Sequence, residues 1–524
     1  MSLRDDALKA AKTAAETADE LLALFAPRVA FRRQQYRQAL NAYEAASPSR
    51  LRKHPADNRS GDALVGLAGT ALRGYARQLE QNYDVAKGAL DVLVNNVVGP
   101  SGINREPQPR RVDGTIHTEF ARDLLALFKD WSRRPECTWT LDYAAMERLA
   151  CRTWVRDGEI LSQLLEGRVA GLDHGTRVPF SLEMIEADLL PLDYDDESKG
   201  ITQGVERNAW GRPIAFHLYK NHPGDASWRI DLNTKRVSAD KVLHTKIAHR
   251  VRQARGVTVF ASVIRRLEDL KDYEESERIA ARVAAAMTGY IKKGTVEDYV
   301  APDSGKSDRS FGMKPGMIFD KLLPGEEIGT IDSNRPSGLL APFHDAMMRF
   351  IATGIGANYS SISRNYRGTY SSQRQELVEG WVHYQVLTNL FIGQFTRPVW
   401  ERFVRMAVLS GAIEVPSDLD INTIDHADFR GPAIPWIDPV KEAVACRTQE
   451  RAGYKSAQQI IRERGGNPDD VMDQIADWRE RANDKDLWFD SDPAKTSSSG
   501  TSQDHLRVRE GLEPDGDSNA EADN

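Results

Sequence analysis

Apolar side chains recur every three or four residues along most of the chain, which is the spacing of an amphipathic helix. Pro398 lies inside the longest of these patterns and predicts a kink, and Gly411 offers a natural stop. After Gly256, Phe260, Ile264 and Leu267 begin a long pattern with a strongly charged middle. The predicted helical stretches are 63–96, 118–166, 256–293, 339–356, 373–410 and 473–485.

Strict alternation of apolar and polar positions replaces this spacing in one central part of the chain. Ile214, Phe216 and Leu218 alternate after a turn that contains Gly211, which predicts the second arm of a half-buried hairpin. A further hairpin is predicted within residues 317–332. The expected fold class is therefore α+β, mainly helical, with residues 167–250 as the mixed part.

Composition narrows the possible functions. The 524 residues include 70 basic and 77 acidic side chains, a net charge of −7, whereas a protein that grips DNA tightly normally has a basic excess. No run of apolar residues is long enough to span a bilayer, and the N-terminus lacks a signal-peptide block, so we expect no membrane contact. The three cysteines form no CxxC pair.

No catalytic, metal-binding or cofactor-binding motif emerges. SGKS at 304–307 ends like a phosphate-binding loop, but Val300 stands where that loop requires glycine. The pairs His217/His222 and His244/His249 have a spacing that does not bring two ligands to one helix face. We therefore predict no catalytic residue, no metal and no cofactor, although a metal-dependent nucleic-acid enzyme built from scattered carboxylates stays open as an alternative.

The polar stretch SRNYRGTYSSQRQ, residues 363–375, lies between two helical patterns. Its arginines either cap helices and pair with Glu376 and Glu379, or face a phosphate backbone. Ser372 and Gln375 fit a capping box for the following helix. The candidate DNA-facing residues are Arg364, Asn365, Tyr366, Arg367, Tyr370 and Arg374.

An ordered series of blocks resembles the portal proteins of tailed bacteriophages of the lambda type. The blocks are LRGYARQLEQNYDVAKGAL followed by VNNVVG, then Trp131 with RDGE at 156–159, the hairpin at 204–224, VLHTKIAHRVRQARGV, YSSQRQELVEGW and PWIDPVKEAVA. The residues that match the family's motifs are Asn96, Gly99, Arg250, Gln253, Arg255, Gly256, Glu379, Trp381, Trp436, Asp438, Pro439, Lys441 and Glu442.

The resemblance implies a portal fold with wing, stem, clip, crown and tunnel loop, and a ring of about twelve copies of the chain. Such a ring occupies one capsid vertex of the virion after assembly in the bacterial cytoplasm. Double-stranded DNA passes through it, weakly bound. The implied partners are the terminase large subunit, the major capsid and scaffold proteins and a head–tail adaptor; another ring-forming virion adaptor is the alternative.

Order along the chain then predicts the segments. The predicted segments are a charged helical arm and linker at 1–60, an α+β wing at 61–255, the first stem helix region at 256–293, the clip at 294–337, the second stem helix at 338–357, the tunnel loop at 358–372, a long kinked helix at 373–411, the C-terminal wing and crown at 412–490 and a disordered acidic tail at 491–524.

Overall fold

The computed structural model describes residues 58–225, 233–285, 289–293, 326–330, 340–433 and 438–487, together with Val29 and Phe489. The chain divides into two units, Met1–Ser60 and Gly61–Asn524. The second unit contains all the elements discussed below. The predicted N-terminal arm, the SGKS stretch, Trp436, the acidic tail and most of the predicted clip lie outside the described residues.

Helices form the greater part of this unit. Typical start and stop signals bound them: Asp142 accepts a hydrogen bond from the backbone N–H of Ala145 at the start of α4, and Gly158 ends that helix with a φ of 90°. The helices are α1 Gly61–Asn82, α2 Asp84–Val97, α3 Thr118–Trp131, α4 Tyr143–Asp157, α5 Ile264–Ala285, α6 Leu340–Ile355, α7 Tyr359–Ser363, α8 Tyr370–Phe391, α9 Arg397–Leu409, α10 Pro439–Arg451, α11 Ala457–Glu463 and α12 Pro468–Asp484.

The strands form four small antiparallel sheets among the described residues. The strands are β1 Asn104–Pro107, β2 Glu159–Glu166, β3 Phe180–Ile185, β4 Ile201–Thr202, β5 Val205–Arg207, β6 Pro213–Tyr219, β7 Thr234–Ser238, β8 Val242–Lys246, β9 Gly289–Lys293, β10 Glu326–Thr330 and β11 Ala427–Arg430. Their orders are β4-β5-β6-β7, β3-β2-β8, β1-β11 and β10-β9. The α+β, mainly helical class is confirmed.

The main core lies between α2, α3, α4, α6, α8 and α9. An aromatic cluster forms its centre, where the indole N–H of Trp131 donates to the carbonyl oxygen of Phe180 at 2.7 Å and the two rings stack 5.4 Å apart. Phe403 lies 5.2 Å from the Trp131 ring, so α9 packs on α3 through aromatic contacts. A second, smaller core lies around β5 to β8 and includes Phe216, Leu218 and Val237.

The hairpin predicted around Gly211 is confirmed, because β5 pairs with β6 and Val205 stands opposite Phe216. Phe216 and Leu218 are buried, while Ile214 is 43% exposed. The hairpin predicted within residues 317–332 lies mostly outside the described residues. Its described part, β10, pairs with β9, more than thirty residues earlier, where Ile328 stands opposite Ile291.

Two predicted helical stretches are too long. The first ends at Asp157, and EILSQLLE continues as β2, whose first four residues are buried. Its apolar residues, Ile160, Leu161, Leu164 and Leu165, recur at spacings that also fit one face of a helix, which explains the error. The second ends at Ala285, and Gly289–Lys293 forms β9.

A π-helical turn, Ile392–Thr396, separates α8 from α9 just before Pro398, the position at which the sequence predicts a kink. Thr396, just before α9, is itself helical, with a φ of −61° and a ψ of −48°. Pro398 therefore lies inside a continuous helical rod, and its ring and missing N–H disturb the preceding turn, where the π-helical residues lie. Within the parts of the chain that the structure covers, helices are too short or too polar to cross a bilayer.

Candidate channel segment and buried ion-pair centre

Residues 364–369 connect α7 to α8 in a turn that local hydrogen bonds define. Arg364 ends α7 in the left-handed conformation, with a φ of 55°. The Asn365 side chain donates to the Tyr359 hydroxyl at 3.2 Å, and its Oδ1 accepts from the N–H of Arg367 at 3.1 Å. The Tyr366 carbonyl accepts from the side chain of Gln373. This turn therefore has a defined geometry and presents Arg364 and Arg367 on its outside.

The capping box predicted at Ser372 and Gln375 is wrong. Helix α8 begins at Tyr370, and the hydroxyl of Thr369 accepts from the N–H of Ser372 at 3.3 Å. The side chain of Gln375 instead donates to Glu379 at 2.7 Å, one turn along the helix. Thr369, three residues before Ser372, provides the cap instead, since threonine is also a favoured N-cap residue.

The three arginines of this segment differ in whether they have an acidic partner. Arg364 and Arg367 are exposed, and no carboxylate among the described residues lies within ion-pair distance of either side chain. Arg374 differs, because its Nη1 lies 3.6 Å from Glu442 of α10. Tyr366 and Tyr370 are 58% and 49% exposed. Two unpaired arginines with exposed tyrosines form a surface suited to brief contacts with phosphate oxygens.

The turn is anchored to the core through α8. The Tyr384 hydroxyl accepts from the backbone N–H of Asn358 at 3.1 Å, and Glu376 accepts from the N–H of Ser360 at 3.0 Å. Asn358 lies directly against Gly380, where a Cβ would overlap its side-chain amide. Sequence reasoning did not single out Gly380, because a lone glycine inside a helical pattern carries no other signal of close approach.

A buried ion-pair centre lies where the α+β part of the chain meets the region before α5. Glu159 and Arg255 are both fully buried, and their Oε1 and Nη2 atoms lie 2.6 Å apart. Arg73 of α1 contacts the same carboxylate at 3.0 Å, and His244 of β8 contacts it at 2.9 Å. Burial opposes ionisation of Glu159, but Arg255, His244 and Arg73 outweigh it and hold its pKa well below the ordinary value.

Arg255 uses its remaining donors on backbone carbonyl groups. Its guanidinium donates to the carbonyl oxygens of Ala187 at 3.0 Å, Leu190 at 2.8 Å and Gln203 at 3.1 Å. The side chain thus joins β2, the segment after β3 and the turn between β4 and β5. A buried arginine satisfied in this way fixes these segments relative to one another.

The other family-motif residues of this block support the same centre. Gln253 donates from Nε2 to the Arg255 carbonyl at 2.7 Å, and its Oε1 accepts from the N–H groups of His249 at 3.1 Å and Arg250 at 3.2 Å. Gly256 donates its N–H to Glu159 at 2.8 Å. A Cβ on Gly256 would overlap the carbonyl oxygen of Gly158, so only glycine permits this crossing of two backbones.

Of the remaining motif residues, Asn96 and Gly99 lie at the end of α2, and Glu379 and Trp381 lie in the middle of α8. Asn96 donates to the Val92 carbonyl at 2.7 Å, and the carbonyl of Gly99 accepts from Arg148 at 2.8 Å. Trp381 is half-buried against the main core, and Glu379 is exposed.

In the C-terminal motif block, Asp438 caps α10 by accepting from the N–H of Lys441 at 3.2 Å, and Pro439 follows at the first helical position. Glu442 lies 3.1 Å from Arg464 as well as near Arg374. The structure therefore brings part of this block next to the start of α8.

One group of potential metal ligands occurs among the described residues: Glu186, Asp188 and His222. Asp188 already pairs with Arg73 at 3.1 Å and with Arg77 at 2.5 Å, so its charge is compensated. His217 contacts Glu206 at 3.3 Å instead of joining His222. We assign no metal to this group.

Residues 47–387 match the family described as phage portal protein, lambda family. The chain is 28% identical over 425 residues to the probable portal protein of Halomonas phage phiHAP-1, covering 78% of this chain and 79% of that protein. It is 19% identical over 308 residues to portal protein B of Escherichia phage lambda, covering 53% and 58% of the two chains.

Solved structures with a detectable likeness include a chain of the virion of a native gene transfer agent particle. That likeness has a TM-score of 0.44 at 13% identity and covers 78% of this chain and 99% of the other. The family match spans more than half of the chain. The protein is therefore a phage portal protein, a component of the virion, and belongs to the lambda family of these proteins.

Proposed function

We propose that this chain assembles into a closed ring of about twelve copies at one capsid vertex, with double-stranded DNA passing through its centre during packaging and ejection. The predicted tunnel loop, residues 358–372, forms the part of each subunit that faces the DNA; within it residues 359–363 are the short helix α7, 364–369 are the turn, and 370–372 begin α8. The single observation that carries this proposal is the exposed, ordered turn with Arg364 and Arg367, neither of which has a carboxylate partner among the described residues.

The net charge of the chain favours a channel through which DNA slides over a site that binds DNA tightly. The chain has a net charge of −7, so a ring of such chains repels phosphates except at local basic positions. A few arginines per subunit then give contacts that are brief and sensitive to salt. DNA that must slide past the ring requires this combination.

The segment assignments follow from the same proposal. Helix α6 serves as the second stem helix and α5 belongs to the first stem region, with α8 and α9 as the long interrupted helix. The described residues after Gly411 belong to the outer wing and crown. The ring would dock the terminase large subunit and a head–tail adaptor, and would assemble in the host cytoplasm with capsid and scaffold proteins.

The test combines charge reversal with an assembly assay. In the double variant Arg364→Glu/Arg367→Glu, we expect rings of normal stoichiometry by native mass spectrometry and negative-stain imaging, because both side chains are exposed. We expect the amount of DNA packaged per particle to fall by about tenfold or more, since two phosphate contacts per subunit become repulsive.

A matched control reverses two exposed arginines elsewhere, Arg133→Glu/Arg212→Glu, and should package normally. Unchanged packaging in the first variant would show that the segment does not face DNA. A wild-type chain that forms a compact dimer with no central hole would contradict the ring itself.

A further inference from the structure

Two neighbouring loops, residues 132–142 and 167–179, present an exposed tryptophan. Trp139 is 43% exposed and has a φ of 58°, a left-handed conformation that bulky residues rarely adopt. Gly175 of the second loop lies directly against its ring, where a Cβ would come within 2.8 Å of Cζ2. The guanidinium of Arg134 lies over the same ring, 4.9 Å from its centroid. The two loops therefore meet around one aromatic side chain that stays accessible at the surface.

Buried polar side chains hold both loops in shape. In the first loop, the Glu136 carboxylate accepts from the hydroxyl of Thr138 at 2.6 Å and from the N–H of Thr140 at 2.7 Å. In the second loop, the ring of His174 contacts the carbonyl oxygen of Gly167 at 2.7 Å. A strained backbone persists only where its surroundings hold it in place. These bonds therefore fix the loops as a preformed surface.

The surface around Trp139 is basic. Arg134, Arg168 and Arg177 are exposed, and within the described part of the chain no carboxylate lies within ion-pair distance of their side chains. Asp173 is the acidic residue of the second loop, and its carboxylate accepts a backbone N–H of that loop at 2.9 Å. We call Trp139, Arg134, Arg168 and Arg177 the Trp139 patch.

The chemistry of the Trp139 patch fits an acidic protein segment. A guanidinium that stacks on an indole keeps its N–H donors available for a carboxylate. Tryptophan and arginine are also the residues that contribute most often to binding energy in protein–protein interfaces. A nucleic-acid base would need an open ring face to stack on, but Arg134 covers one face of Trp139 and Gly175 lies against the ring.

The chain itself carries a segment of this chemistry outside the described residues. Residues 510–524 contain six Asp or Glu, no Lys or Arg, and one large apolar side chain, Leu512. We infer that this acidic segment binds the Trp139 patch of the same chain and shields its arginines from nucleic-acid phosphates. Shielding matters in a chain whose net charge of −7 otherwise repels DNA, because an open basic patch would retain it. The inference does not depend on the ring or on the turn at 364–369.

The path of the chain brings the acidic segment within reach of the patch. Asp473 of α12 pairs with Arg122 of α3 at 2.6 Å, and α3 ends at Trp131, three residues before Arg134. The distances from this pair to the end of each helix are both ~15 Å. Residues 485–509 then separate α12 from the acidic segment, and 25 flexible residues span ~25–30 Å on average. The connection is therefore long enough for a contact within one chain.

The first test maps the contact in the full-length chain. With the photo-cross-linking residue benzoylphenylalanine in place of Trp139, we expect a cross-link within one chain to the peptide 510–524, which trypsin releases after Arg509. The matched control places the same residue at Trp210, which is 88% exposed in the turn between β5 and β6, close to the exposed Arg212. That position should not reach the acidic segment.

Charge changes test which groups make the contact. Arg134→Glu/Arg177→Glu should lower the yield of the cross-link from position 139 by about tenfold or more, and so should replacement of the six carboxylates of 510–524 by their amides. Arg212→Glu/Arg252→Glu, near Trp210, is the control and should leave the yield unchanged. All these arginines are exposed, so the variants should melt like the wild type.

Retention on immobilised duplex DNA tests the shielding. At ~50 mM salt the chain with six amides should bind DNA about tenfold more tightly than the wild type, because the arginines of the patch become available. Adding Arg134→Glu/Arg177→Glu to that chain should remove the gain. Retention that does not rise in the six-amide chain would contradict shielding.

The cross-linking results can overturn the inference in three ways. Equal cross-linking of 510–524 to positions 139 and 210 would show only general attraction between acidic and basic surfaces. A product that joins two chains would contradict a contact within one chain. A cross-link from position 139 to a different segment or to nucleic acid would assign the Trp139 patch to another partner.

Discussion

Replacement of Arg255 by methionine tests whether the buried ion-pair centre holds the fold together. Methionine fills similar volume but leaves the Glu159 carboxylate buried with only Arg73 as a charged partner at 3.0 Å, since burial lowers the pKa of His244 and favours its neutral form. Removing one partner of a buried pair costs ~3–5 kcal/mol in the free energy of unfolding. Three backbone carbonyls also lose their donor, which favours the upper end of that range.

The assay is thermal unfolding followed by tryptophan fluorescence, at equal protein concentration. The expected loss corresponds to a decrease of roughly 6–20 °C in Tm for a cooperative unit of about 150–250 residues. Arg122→Met is the control: Arg122 is exposed and pairs with the exposed Asp473 at 2.6 Å. Its loss should cost about 1 kcal/mol or less.

The double variant Glu159→Gln/Arg255→Met isolates the pair. Because it removes both charges, it should be less destabilised than the sum of the two single variants by ~2 kcal/mol or more. A Tm of Arg255→Met within about 2 °C of the wild type would refute the view that this centre fixes the surrounding segments. Additive effects of the two single changes would show that the residues do not stabilise each other.

The remaining predictions concern glycine positions and pH. Gly256→Ala should abolish soluble protein, measured as expression yield, because the new Cβ overlaps the Gly158 carbonyl oxygen. Gly74→Ala in α1, where nothing lies within 4 Å of the added Cβ, should raise the free energy of unfolding by ~0.5–1 kcal/mol, measured as an increase in Tm. The folded-state pKa of Glu159 is depressed, so its stabilisation is present above an unfolded-state pKa of ~4.3 and is lost as pH falls below that value. The Tm difference between wild type and Glu159→Gln should therefore be largest near neutral pH and shrink in acid, and a difference that stays constant down to about pH 3 would contradict the assignment.

Local patterns of apolar and polar residues were sufficient to predict most of the helices. The periodic spacing behind α1, α6, α8 and α9 reflects faces that must be buried, and a period of three to four residues is visible without any knowledge of the partner. The hairpin around Gly211 was equally readable, since alternation and a turn glycine are both local signals.

Errors arose where a distant segment decided the structure. β9 continues a helical pattern in the sequence but pairs with β10, which begins more than thirty residues after β9 ends. The first four residues of β2 are all buried, so its apolar and polar positions lack the strict alternation that marks a half-exposed strand. Propensity is a weak preference that such tertiary contacts override.

The sequence by itself determined the membership of a family, the helical segments and the polar turn with Arg364 and Arg367, because motifs, periodicity and turn chemistry act over short distances. Only the tertiary structure decided that Arg255 and Glu159, 96 positions apart, form one buried centre, that Gly158 and Gly256 cross, and that the outer face of α8 lacks a partner within the described part of one chain. Burial and long-range pairing depend on which elements meet in space, and no local pattern contains that information.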